Sequence, residues 1–353
     1  MPFGGGSVAG MGTALASGVG YHGLPALTPT RALAEWTLDP VMLALTVVLG
    51  VGYLLGVRTV RRRAGEWSVA WPIWFVGLGL GFLVIATMSW VGVYQPVLFY
   101  ARAVQTVLLV LVVPLFLALG RPITLAIAVF PRAGRRLEAI ISSRLARILT
   151  FPAITPFVLV AVPFVMYFTS WYTAVFHSIT VRELTFLALM APGFVFFWTL
   201  LRVDPVPKKY SYGVSMWITG AEVIGDAFLG IAVIADQNLL GASYYHALAW
   251  PWGPTLQTDQ VIGGGVLWIL GDLVGLPFLA AQLIQLMRED ESDAARIDAE
   301  LDAQAQQARQ AVGTASRSVL TPGPQAPPPG DASDTTKPWW EDDPRFTDRF
   351  KPT

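Results

Sequence analysis

LFYARAVQTVLLVLVVPLFLALGRP, residues 98–122, decides what kind of protein this is. From Ala103 to Leu119 it is almost wholly apolar, and with its flanks it crosses ~30 Å of hydrocarbon at ~1.5 Å per residue. Near one end stand Arg102, Gln105 and Thr106, at i, i+3 and i+4, on one face of a helix. A guanidinium turned to lipid costs roughly 2.5 kcal/mol or more, less if it snorkels to the surface. Arg102 is therefore either an interfacial anchor or a member of a polar cluster between helices.

The rest of the chain has the same character. Of 353 residues, 54% are hydrophobic and only 14% charged, which predicts an all-α, polytopic membrane helix bundle. Seven apolar spans are expected, at about 41–57, 71–94, 98–119, 152–170, 184–201, 213–235 and 261–287. The run 122–130 is too short to cross and is expected at the interface. The loops 58–70, 120–151 and 202–212 hold thirteen Arg and Lys, against Arg31, Arg102 and Arg182 on the other side. That bias predicts an N-out, C-in topology in a bacterial plasma membrane. Gly52 with Gly56, and Gly271 with Gly275, have the spacing of close helix packing.

Outside the spans, residues 1–40 are Gly/Ala-rich and read as a flexible extracytoplasmic arm. With no positive n-region, the start does not read as a cleaved signal peptide. The seven-helix domain is assigned to 41–287 and a cytoplasmic helical extension to 288–318, with a modest stripe at Ile297, Leu301, Ala305, Ala308 and Val312. Residues 319–353 are expected to be a disordered Pro-rich linker ending in PWWEDDPRFTDRFKP, an aromatic and charged segment suited to docking a cytoplasmic partner.

Several chemistries are excluded. Without Cys there are no disulfides, thiolate metal sites or CxxC redox pairs. No GxxxxGK[ST] points to a nucleotide-driven pump, no module points to nucleic acid, and no nucleophile–base pairing points to an enzyme. Three ionisable residues stand out within spans. Asp226 falls in the outer half of the sixth, while Glu222 and Asp272 lie near the midplane. These two acids are either a proton path or hydrogen-bonded structural contacts. All three His (His22, His177 and His246) fall on the outer side with Met88 and Met166. Imidazole and thioether suit copper, but scattered His are more often surface residues, so these are weak metal candidates.

From Trp36-Thr37-Leu38-Asp39-Pro40, through LFYARAVQTVLL, LALGRPITLA, VRELTFLALMAPGFVFFW, LLRVDPVPKKYSY, DAFLGIAVI and YYHALAWPWGP, to TDQVIGGGVLWILGD, the chain resembles the CtaG family of cytochrome c oxidase assembly factors, in its actinobacterial form. The resemblance covers roughly 36–298, including Asp259 and Gln260 in the last motif. It implies a non-catalytic plasma-membrane protein that helps mature haem-copper oxidase, with oxidase subunits or other assembly factors, and lipid, as partners. Copper enters through the resemblance alone, and no cofactor is expected from the residues.

At the positions where the resemblance implies His, this chain has Arg102 and Thr106 in the third helix, Arg182, Phe186 and Ala188 in the fifth, and Asp226 in the sixth; Gln105 is kept. Guanidinium has no lone pair for a metal. The expectation is that an Arg102–Asp226–Arg182 cluster replaces a copper site, leaving a scaffold or adaptor. The alternatives are a copper chaperone using outer-face His and Met, or an ion-coupled transporter using Glu222 and Asp272.

Overall fold

The computed structural model describes residues 23–318 apart from Ala64 and Lys209. Among these residues every regular element is helical. Six helices are long and apolar enough to cross a membrane. In chain order, α1 is Pro29–Ala34. The spans α2, Pro40–Arg62, α3, Ala70–Tyr94, and α4, Phe99–Leu119, follow. Three short helices come next: α5, Pro122–Val129, α6, Pro131–Ile141, and α7, Arg144–Leu149. Then come α8, Ile154–Phe168, α9, Trp171–His177, and the spans α10, Ile179–Leu201, and α11, Tyr212–Ala235. The helix α12, Ala242–Leu248, precedes the long α13, Leu256–Ser318.

The expected fourth span, 152–170, differs most. At 15 residues, α8 reaches ~22 Å, short of a hydrocarbon core. The chain breaks at Thr169-Ser170 and turns by 70° into α9, and only when counted together do the two pass for a seventh span. The fifth span begins at Ile179 rather than 184, which places Arg182 in its first turn and Glu183 just after it. The last begins at Leu256 rather than 261, which places Asp259 in its first turn.

α4 is central. The buried share of its apolar window is 61%, against 28% for α2 and 22% for Leu256–Arg288. Pro114 has no N–H, so the Val110 carbonyl loses its partner, and the backbone widens over Leu108–Val112 to absorb the defect. α10 packs against that turn through Gly193, where any Cβ would strike the Val110 carbonyl.

At one end of the bundle lie the Arg-rich loops; at the other lie α1, α9, α12 and most of the Tyr residues. The basic end is fastened by Asp204, whose carboxylate accepts from Ile123 N at 3.1 Å and Thr124 N at 2.8 Å, capping α5 from a distant loop. Leu125 of α5 is buried against Gly56 of α2. At the aromatic end, Asp259 of α13 accepts from Phe99 N at 2.8 Å and Tyr100 N at 3.0 Å, capping α4. In a medium without water, such N–H groups need partners from the protein.

The described part of the expected flexible arm is docked. Trp252 donates to the Leu24 carbonyl at 2.7 Å and Tyr94 to that of Pro25 at 3.0 Å. Residues 1–22, with His22, lie outside the described residues, as do 319–353 with the tail segment. The chain divides into two compact units, Met1–Glu289 and Asp290–Thr353. In the second, helix α13 continues to Ser318 with Ile297, Leu301 and Ala305 exposed.

Asp259→Ala is expected to lower bundle stability by about 1–2 kcal/mol, the cost of a lost cap, with Asp259→Asn in between. Thermal unfolding in detergent reads this directly. An equal midpoint for the Ala variant and the parent would remove the clamp.

Candidate functional site

The aromatic end encloses a buried guanidinium. Arg102 lies one turn into α4 and is 1% exposed. Its Nη1 donates to Gln105 Oε1 at 2.7 Å and Gln95 Oε1 at 3.2 Å, and its Nη2 to Met166 Sδ at 3.6 Å. The rings of Phe176 and Phe186 each stand 5.9 Å from the guanidinium carbon. No carboxylate touches it among the described residues, and Nε has no partner. Amide oxygens, a thioether and aromatic faces compensate the charge through dipoles and quadrupoles instead.

The surrounding residues are fixed in turn. Gln105 Nε2 is tied to the Ala86 carbonyl at 2.8 Å, which aims its Oε1 at Arg102. Thr106 Oγ1 lies 2.9 Å from the Arg102 carbonyl and 3.0 Å from the Tyr167 hydroxyl. Tyr172 and Tyr245 meet through their hydroxyls at 2.6 Å. On α12, burial pushes the Tyr244 and Tyr245 hydroxyls above the usual tyrosine pKa range, so both stay protonated donors. Tyr244 donates to the Pro96 carbonyl at 3.0 Å, holding the turn before α4.

The three-residue cluster expected from sequence does not form. Arg102, Gln105 and Thr106 do come together. Arg182 instead pairs with Asp39 Oδ2 at 3.2 Å and with Glu183 Oε1 at 2.8 Å. Asp39 also caps α2, accepting from Val41 N and Met42 N at 3.1 Å each. Asp226 lies against Gly271 of α13 and its own-helix neighbour Glu222. Depth explains the split. Asp226 is nine residues from Ala235, ~14 Å along the axis, whereas Arg102 and Arg182 are three residues into their helices, ~5 Å.

The remaining candidates separate by job. Gln260 clamps the 233–240 turn, accepting from Leu240 N at 2.8 Å and donating to the carbonyls of Val233, Asp236 and Asn238. Asp259 is the α4 cap. His177, on α9, is exposed and edge-on to Tyr244 at 5.9 Å. His246, on α12, is exposed in a groove it shares with Trp250 and Trp252. Met88 is buried, as is Met166, and only Met166 faces Arg102. Among the described residues, no three His, Asp or Glu side chains are grouped to hold a metal ion.

Gln95, Asp204 and the Tyr172–Tyr245 pair were missed by sequence reading. Only the Asp204-Pro205 turn and the doubled Tyr244-Tyr245 gave any local signal.

A model of the cytochrome c oxidase caa3 assembly factor family matches residues 51–289, from the middle of α2 into α13. The chain belongs to that family. It is also similar to uncharacterised proteins of Mycobacterium bovis and Mycobacterium tuberculosis, each 31% identical over 294 residues that cover 80% of this chain and 44% of the relative. A third, from Mycobacterium leprae, is 27% identical over 281 residues, covering 77% and 42%. The chain thus spans less than half the length of these curated relatives. No solved structure matches it. The chain is thus a member, with several candidate membrane spans, of a family described as cytochrome c oxidase assembly factors.

A double-mutant cycle distinguishes the observed pairs from the expected ones. Arg182→Ala with Asp39→Ala is expected to be non-additive by about 0.5–3 kcal/mol, and Arg102→Ala with Asp226→Ala additive within about 0.5 kcal/mol. Strong coupling in the second cycle would restore the cluster that the geometry dissolves.

Proposed function

We propose that this family member assists assembly of a haem-copper cytochrome c oxidase as a non-catalytic scaffold or adaptor, holding no copper within its own bundle. One observation carries the reading. The place at the aromatic end that offers two amide oxygens and a thioether is filled by the protein's own cation, Arg102. Those donors suit a borderline metal ion, but a guanidinium held among them excludes one by charge and volume. The positive-inside bias supports placing the basic end in the cytoplasm and the Arg102 end outside, the side of the oxidase copper centre to which the family resemblance points. Oxidase subunits or other assembly factors are the proposed partners, with the terminal PWWEDDPRFTDRFKP segment available to a cytoplasmic one.

A second reading, copper transfer over the outer surface, draws on His177 and His246, both exposed and both at that end. Affinity purification from native membranes, with oxidase subunits and copper measured together, tests the two. Co-purification with far less than one copper per chain is expected. Stoichiometric copper lost in His177→Ala/His246→Ala would favour surface transfer, and stoichiometric copper retained in that variant would refute the metal-free bundle.

A further inference from the structure

The acids between α11 and α13 serve no purpose in the assembly reading, and their arrangement is specific. Glu222 and Asp226 stand one turn apart on α11, facing Gly275 and Gly271 of α13, and Asp272 follows Gly271 directly on that helix. The two glycines on α13 make room for them. A Cβ at Gly271 would stand 2.6 Å from Asp226 Oδ2, and one at Gly275 3.2 Å from Glu222 Oε2. The spacing that sequence reads as helix packing thus accommodates carboxyl groups.

The seam is short of partners. Glu222 is 1% exposed, yet its Oε1 has no hydrogen bond. Gln282, 3% exposed, faces the same seam by accepting from Thr219 Oγ1 at 3.2 Å, and its Nε2 is left without a partner. Asp272 Oδ1 has none either.

Among the described residues, the ion pairs found involve none of these acids. α8 packs beside them with Val160 against Gly225 and contains no Arg, Lys, His, Asp or Glu. α10 meets α13 through Phe197 and Phe278, but its charged residues, Arg182 and Glu183, sit near its start beside Asp39. Toward the basic end, Arg202 reaches Ser215, seven residues or ~10 Å before Glu222. Two carboxyl groups buried one turn apart inside an apolar bundle need a positive charge beside them, either a proton or a metal ion. The acids occupy successive turns rather than one point, and no three-residue metal group is present among the described residues. We propose that Glu222 and Asp226, with Asp272 beside them, form an intramembrane proton-binding site that exchanges protons with the medium. This is independent of the assembly reading.

The test uses the purified full chain in lipid nanodiscs and dicyclohexylcarbodiimide, an apolar reagent that adds to protonated carboxyl groups. Peptide mass spectrometry is expected to place the adduct on Glu222 or Asp226. Labelling should fall several-fold from mildly acidic to alkaline medium, and a water-soluble carbodiimide should leave both residues untouched. Infrared difference spectra across the same pH change should show a carboxylic C=O band that Glu222→Gln removes. The labelling result stands on the unmutated chain, whether or not that variant folds. No adduct on either residue, labelling indifferent to pH, or protection by a divalent metal ion would overturn the proposal, the last by making the bound cation a metal.

Discussion

The constraint on which the structure depends is that a helix beginning inside a bundle has N–H groups and no water to meet them. α4 begins in such a place, and its first amides are answered by Asp259 from the last span. That contact joins the centre of the fold to its end across 160 residues of sequence. It also fixes where Arg102 sits, because a guanidinium one turn past the cap has no freedom to slide along the axis. Asp39 on α2 and Asp204 on α5 repeat the device, so three aspartates define three helix starts.

Charges inside the bundle are handled in three different ways. Arg182 is ion-paired and partly exposed, at 21% of its side chain, so its contribution to stability is modest. Arg102 is fully buried and has only neutral partners. The acids of α11 and α13 take part in none of the ion pairs found among the described residues. Replacing Arg102 by His would not simply regenerate a metal site, since Gln105 is held by the Ala86 carbonyl in the orientation that serves a planar donor.

The existence of the spans was legible because an uncharged apolar run of this length is stable only in hydrocarbon or deep in a large core. The fourth was less so: Thr169-Ser170 resembles any polar end, and nothing local says that the chain will turn by 70° there instead of ending. The candidate site was half legible. The i, i+3, i+4 spacing correctly put Arg102, Gln105 and Thr106 on one face, since helical periodicity is a property of the segment itself. Partners on other helices depend on rotation about each axis and on relative depth. A count of residues fixed the depth of Asp226 only as the outer half, which could not separate ~14 Å from ~5 Å. Asp259 and Gln260 were picked out by motif, and only the structure gave them the jobs of cap and clamp.

The failed cluster is itself informative. Opposite charges buried in one small bundle attract strongly, and pairing Arg102 with Asp226 would relieve both. Their axial offset of ~9 Å keeps each from neutralising the other. The two sites then follow different rules. A guanidinium cannot leave its cage, so the aromatic end carries a permanent cation ringed by neutral donors and closed to a second one. A carboxyl pair can gain or lose its positive charge, so the α11–α13 seam is the place where this membrane domain can change state. Joining the two into a single salt bridge would abolish that difference, and Asp226 lies instead against Gly271 of α13.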